Sequence, residues 1–248
     1  MNHMILAQAK GLSKTFPVKG KKEAVLHAVS QVDLTIYQGE TLALVGESGC
    51  GKSTLGRLLL GLLEPTEGQV LFDGQDLAKL SPKDLRALRR QMQMVFQDTA
   101  AALNPRLDVE GILSEPLRIH DLYPKSQWRE RCGQLLDQVG LSRDLLDRYP
   151  HEISGGQRQR VVIARALALE PKLVVCDEPV SALDVSVQAQ MLNLLADLQE
   201  ANHLTYLFVS HDLSVVRHIA DRVCVMFLGR VCEIGPTKEM FRAPRHPY

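Results

Sequence analysis

Between the apolar run at residues 42–45 and a leucine-rich segment lies Gly46-Glu47-Ser48-Gly49-Cys50-Gly51-Lys52-Ser53-Thr54. Few folds place such a sequence comfortably. The order reads as strand, glycine-spaced loop and helix, and the pattern G-x-x-x-x-G-K-[ST] carries a mechanism. Glycines let consecutive backbone N–H groups turn toward one anion, and the following helix points its partial positive end at the same place. In this pattern Lys52 reaches the β- and γ-phosphates of a nucleotide, the Ser53 hydroxyl holds Mg²⁺ and Thr54 adds a contact to the α-phosphate. A Gly-rich turn that merely contains Lys-Ser is the plain alternative; a chain of this length matches the pattern by chance on the order of one time in a hundred. Leu55, Leu58, Leu59 and Leu62 recur at helical spacing, which predicts a helix that buries one face against a sheet.

The rest of the composition narrows the class. With 248 residues, 45% of them hydrophobic, the chain can fill the core of one large α/β domain or of a domain with a smaller insertion. Lys and Arg number 29 against 29 Asp and Glu, so no global charge points to a nucleic-acid partner. Cys50, Cys132, Cys176, Cys224 and Cys232 include no C-x-x-C pair and read as reduced thiols rather than a disulfide or zinc framework. No signal peptide is recognisable at the N-terminus, and no apolar run approaches the roughly 20 residues that span a bilayer. A membrane role is therefore expected to come through a partner.

Residues 5–36 mix short β-like runs with turn residues, including a turn at 17–22, and predict strands of a small, mostly antiparallel sheet. Phe16 reads either as a core aromatic or as a flat face for adenine stacking. Residues 69–74 follow as strand and turn, and Ser81-Pro82 opens a helix whose apolar face is Leu85, Leu88 and Met92. The basic residues on its remaining surface read as a solvated face. Another β-like run, 92–97, ends at Gln97. From residue 98 the texture turns to loop and helix, with Trp128, Cys132, Leu135, Leu136 and Val139 forming an apolar stripe in which Trp128 is a packing anchor. Residues 98–155 are expected to be a helical subdomain inserted in the α/β core.

Ser154-Gly155-Gly156-Gln157 has two compatible readings. As a capping box, Ser154 is the N-cap and Gln157 the residue that reaches back to it, starting a helix that runs to about residue 169. As an anion site, the two glycines expose N–H groups at a helix start, which would explain their cost there. Residues 173–178 form an apolar strand ending in Asp177 and Glu178, carboxylates that need a cation or hydrogen-bond donors. Mg²⁺ held with Ser53 would compensate Asp177, leaving Glu178 to orient or deprotonate water. Adjacent positions on a strand point to opposite sides, so the two are expected to divide metal and water between them. Asp184 suits the N-cap of a further helix, and His211 sits at the C-terminal end of the strand over residues 206–210, where open α/β sheets put ligands.

Together these residues resemble the ATP-binding cassette, the motor subunit of ABC transporters. The likeness rests on GESGCGKST at 46–54 (Walker A), Gln97 (Q-loop), ISGGQRQR at 153–160 (signature), LVVCDEP at 173–179 (Walker B with the catalytic glutamate), SALD at 181–184 (D-loop) and His211 (switch histidine). It implies a P-loop NTPase (RecA-like) α/β core with an N-terminal antiparallel β subdomain and the inserted helical subdomain, one nucleotide-binding domain over residues 1–248. It also implies catalytic roles for Glu178, His211 and Gln97, Mg²⁺ contacts from Ser53, Gln97 and Asp177, and ATP binding by Phe16, residues 46–54, Ser154, Gly155, Gly156, Gln157 and Asp184. Family members form a head-to-tail dimer in which Lys52 of one subunit and Ser154, Gly155 and Gly156 of the other sandwich one ATP.

A narrower likeness is to the peptide and nickel importer branch, which includes dipeptide, oligopeptide and glutathione systems. Leu103-Asn104-Pro105-Arg106, the segments at 148–152 and 181–190, and the closing Arg245-His246-Pro247-Tyr248 carry it. Thr99 stands where many relatives have Pro, Ala102 where Ser is usual, and Phe16 where tyrosine is commoner. The branch implies an ATPase on the cytoplasmic face of the cell membrane, working with two permease chains, an extracytoplasmic binding protein and a second cassette, similar or identical to this one. The competing readings are a soluble mechanical ABC ATPase of the DNA-repair, translation or iron-sulfur assembly type, and a small-molecule P-loop kinase. Co-purification with permeases separates the first, and nucleotide-dependent dimerisation the second.

Overall fold

The computed structural model describes residues 4–18, 20, 24–181 and 183–248. Part of the turn expected at 17–22, and Ala182 of the 181–184 motif, lie outside them. Two sheets organise the chain. The first is antiparallel, in the order β2 (Val25–Tyr37), β1 (Ile5–Pro17), β4 (Glu67–Phe72) and β5 (Gln75–Asp76). The second runs β10 (Arg230–Pro236), β9 (Arg222–Phe227), β3 (Thr41–Val45), β8 (Thr205–Ser210), β7 (Leu173–Asp177) and β6 (Met92–Val95), parallel except for β10.

Every residue of β3, β7 and β8 is buried. Strands covered on both faces read as continuous apolar runs, and the two-residue side-chain period then divides them between two cores. Val174, Cys176, Tyr206 and Phe208 join a core shared with the helices; Leu173, Val175, Leu207 and Val209 join one shared with the antiparallel sheet and α1 (Lys52–Leu59). Leu55, Leu58 and Leu59 fill that second core, but the helix stops at Leu59 and Gly61 takes a left-handed φ of 62°, so Leu62 leaves the apolar face and is exposed. Met92 likewise departs from the expected helical face. The helix α2 (Pro82–Leu88) closes first, capped by Ser81, and Met92 begins β6.

Between β6 and residue 155 the described residues form helices and turns, without a strand: α3 (Thr99–Ala102), α4 (Val109–Ile119) and α5 (Trp128–Gln138). Trp128 packs against the helical core and donates its indole N–H to the Leu122 and Tyr123 carbonyls. The remaining helices are α6 (Gly155–Leu167), α7 (Val185–Asn202), α8 (Leu213–Ile219) and α9 (Thr237–Arg242). Their arrangement sets the loops that follow β3, β6, β7 and β8 at one edge of the parallel sheet, where ligands of open α/β sheets collect.

Candidate active site

At that edge a cleft of about 690 Å³ is lined by Ser48, Gly49, Lys52 and Ser53 after β3, Gln97 after β6, Glu178 after β7 and His211 after β8. Two glycines of the 46–51 loop are there because nothing else fits. A Cβ on Gly46 would lie 2.1 Å from the Met226 carbonyl oxygen, and one on Gly51, whose φ is 107°, would lie 2.1 Å from the Ala28 carbonyl oxygen. The loop is thereby seated between β2 and β9, and Gly229 N–H ties it further by donating to the Cys50 carbonyl at 2.9 Å. Gly51 is also the N-cap of α1 and supplies no side-chain acceptor, so no cap side chain covers the end that the helix turns to the cleft. Lys52 is buried, and its ammonium donates to the carbonyls of Gly46 at 2.7 Å and Glu47 at 2.9 Å.

The carboxylates occupy different settings. Asp177 is 4% exposed and accepts the Ser53 hydroxyl at 2.9 Å. Burial pushes its carboxyl above the usual range, against the Ser53 hydrogen bond and the Arg57 charge, which pull the other way. Glu178 does not obey the expected alternation. The strand ends at Asp177, and Glu178 turns into the left-handed region with φ of 48° while its N–H still bonds the Val209 carbonyl at 3.0 Å. A non-glycine residue holds that conformation only when its surroundings over-determine it. The consequence is that Glu178 lines the same cleft that Asp177 reaches through Ser53. Its two oxygens are each held: Oε2 accepts Gln97 Nε2 at 2.9 Å, and Oε1 meets His211 Nδ1 at 3.0 Å. A carboxylate only accepts, so Nδ1 is the protonated nitrogen of this contact.

Phe16 lines the cleft as well, beside its cross-strand partner Leu26 and with Lys14 Nζ 5.3 Å from its ring centre. Leu26, Leu228 and Gly229 share that wall, and no sequence motif had marked them. Ser154, Gly155, Gly156, Gln157 and Asp184 are not among the described residues lining the cleft. Ser154 and Gln157 form a reciprocal capping box on α6. Gly156 has a packing reason, since a Cβ there would lie 3.2 Å from Val187, whereas a Cβ on Gly155 would meet nothing closer than 3.8 Å. Asp184 caps α7, and its carboxylate is drawn below the usual range by the Ser186 hydroxyl and the Val187 N–H. Cys176 behind the cleft is a core thiol that burial pushes up to about 12.

A family model described as ABC transporter matches residues 29–181. The chain belongs to the ABC transporter family. It is 51% identical over 252 residues to the oligopeptide transport ATP-binding protein AppF of Bacillus subtilis (strain 168), covering 100% of this chain and 77% of that one. It is 49% identical over 251 residues to the oligopeptide transport ATP-binding protein OppF of Escherichia coli (strain K12), covering 98% and 75%. Among solved structures, the ATP-binding cassette MJ0796 in a dimeric post-hydrolysis state bound to ADP and Pi superposes with a TM-score of 0.83 at 31% identity, over 94% of this chain and 99% of that one. The cbiO1 protein of Clostridium perfringens, part of the ABC transporter complex cbiONQ, gives 0.84 at 31% identity over 97% and 92%. This ABC cassette accordingly has the P-loop NTPase fold, and it is an ATPase. The readings as a soluble mechanical ATPase or a P-loop kinase find no support among these relatives. Among the described residues no helix is long and apolar enough to cross a membrane.

Proposed function

We propose that this ABC ATPase powers a binding-protein-dependent peptide importer from the cytoplasmic face of the cell membrane, seated against two permease chains and paired head to tail with a second, similar cassette. The names of the relatives that align over nearly the whole chain support the peptide assignment, with glutathione or nickel as neighbouring solutes of the same branch. Residues 98–155 are the inserted helical subdomain, and the segment at 99–106, the short helix α3 and the turn after it, carries the coupling to the permease. Ser154, Gly155, Gly156, Gln157 and Asp184 act across the dimer, on the nucleotide bound by the partner subunit.

The observation that carries the chemistry is the doubly held carboxylate of Glu178. Gln97 and His211 fix both oxygens at the cleft that contains Lys52 and Ser53. A carboxylate so oriented takes the proton of a water that attacks the γ-phosphorus of ATP, with ADP as the leaving group. The Ser53 hydroxyl beside the Asp177 carboxylate is the hard oxygen set that suits Mg²⁺, and a cation there would relieve a carboxylate that burial disfavours. Ser53, Asp177 and the Gln97 amide oxygen would hold it, and bound Mg²⁺ supplies neutralising charge to the β- and γ-phosphates. Lys52 exchanges its two loop carbonyls for phosphate oxygens, and Phe16 stacks on adenine.

Glu178→Gln tests the assignment. The amide keeps shape and hydrogen bonding and loses the proton acceptor, so turnover should fall by roughly 10²–10⁴-fold. Nucleotide affinity should persist, because Lys52, Ser53 and Asp177 are untouched, and the nucleotide-bound dimer should accumulate. Near-normal turnover would remove Glu178 as the base.

A further inference from the structure

The closing segment of the chain returns to the nucleotide loop. The Glu233 carboxylate on β10 accepts the backbone N–H of Arg245 at 3.0 Å and of His246 at 2.9 Å. These bonds hold Glu233 below the usual carboxylate range, so it stays charged. Two residues on, the Tyr248 N–H donates to His246 Nδ1 at 3.1 Å, and the Tyr248 ring packs on Phe227 of β9 with ring centres 4.5 Å apart. The Tyr248 hydroxyl then accepts the Glu47 N–H at 3.2 Å.

That N–H belongs to the Gly46–Glu47 peptide, whose carbonyl oxygen accepts Lys52 Nζ at 2.7 Å. A peptide unit is planar, so its N–H and C=O cannot be aimed independently. Tyr248 holds one edge of the plane and Lys52 is held by the other. We propose that Tyr248 is a positioning residue for Lys52, with Glu233 anchoring the segment that carries it. This rests on the reading of Lys52 as a phosphate ligand. Without the hydroxyl the peptide can rotate and the ammonium keeps only the Glu47 carbonyl as a fixed partner, which weakens ATP binding without altering the Glu178 group that performs the chemistry.

Tyr248→Phe deletes only the hydroxyl and keeps the ring on Phe227. Glu233→Gln acts from a distance, replacing one accepting oxygen by a donor that faces the N–H groups. Each variant should bind a fluorescent ATP analogue about 3- to 10-fold more weakly, the scale of one lost neutral hydrogen bond. Maximal turnover should stay within about twofold in the pattern of lost uniform binding. Glu47 amide exchange in the nucleotide-free protein should quicken by roughly tenfold. The double variant should be no weaker than the weaker single one, because both cut one chain of contacts. Unchanged Glu47 exchange and unchanged affinity in Tyr248→Phe would overturn the proposal, as would additive losses in the double variant. Neither result bears on Glu178→Gln, which reads turnover; failure of the unaltered protein to bind the analogue would instead remove the reading of Lys52.

Discussion

Asp177→Asn should make the nucleotide-free protein more stable and the nucleotide-bound one less responsive. Asp177 is 4% exposed with the Ser53 hydroxyl at 2.9 Å as its hydrogen bond, and burial is the largest influence on its carboxyl. An asparagine keeps an oxygen for Ser53 and removes the desolvated charge. Relief of a poorly compensated buried group is worth about 2–3 kcal/mol, and the new amide N–H₂, lacking an assigned acceptor, returns about 1 kcal/mol. A net gain of about 1–2 kcal/mol in a chain of this size raises Tm by about 2–8 °C. The sign of the pH dependence follows from the upward shift. Between the unfolded carboxylate value near ~3.9 and the higher folded value, the native state holds more protons than the unfolded one, so stability falls as pH rises through that window. Calorimetry without nucleotide or divalent cation should therefore show the variant ahead at pH 7.5, with the gap narrowing as the pH falls through the raised folded value toward the unfolded one. With Mg²⁺ and ATP the order should reverse, because ligand stabilisation grows with [L]/Kd and the variant lacks the metal ligand proposed for Asp177. A lower Tm for the nucleotide-free variant at pH 7.5, or a gap that ignores pH, would refute the reasoning.

Phe16→Ala should raise the KM for ATP with little change in kcat, by about 1–2 kcal/mol as for base stacking on an aromatic ring; an unchanged KM would return Phe16 to a packing role. His211→Ala should slow single-turnover hydrolysis and leave nucleotide affinity intact, since it frees one Glu178 oxygen at the cleft. Gly51→Ala places a Cβ 2.1 Å from the Ala28 carbonyl oxygen at a φ of 107°, and should abolish nucleotide binding or lower stability by more than about 2 kcal/mol, measured by equilibrium titration and denaturant unfolding. Replacing Leu103-Asn104-Pro105-Arg106 should leave the ATPase of the isolated subunit intact and reduce transport in the assembled complex. Arg165, which donates to the Ala102 carbonyl at 2.6 Å, braces the neighbouring helix α3, and Arg165→Met should reproduce part of that loss.

Much of this cassette is written locally. The apolar runs that became β3, β7 and β8, the capping box of Ser154 and Gln157 and the N-cap of Asp184 depend on neighbours within a few positions, and short-range sterics and periodicity express them directly. The motif order also carried the family. What the periodicity missed were endings: α1 stops before Leu62 and α2 before Met92, because a left-handed glycine and the start of a strand override the apolar repeat.

The tertiary structure decided the site. Glu178 lies 81 positions from Gln97 and 33 from His211, and only the parallel order of β6, β7 and β8 brings their C-terminal ends together. Strand alternation placed Glu178 and Asp177 on opposite sides; the left-handed turn at Glu178, held by the Val209 carbonyl, accompanies its place in the cleft that Asp177 meets only through Ser53. The Ser53 hydroxyl on Asp177, 124 positions away, and the return of Tyr248 to Glu47, 201 positions away, have no local signature at all. Desolvation and long-range hydrogen bonds depend on what the fold stacks around a group, and no window along the chain contains those neighbours.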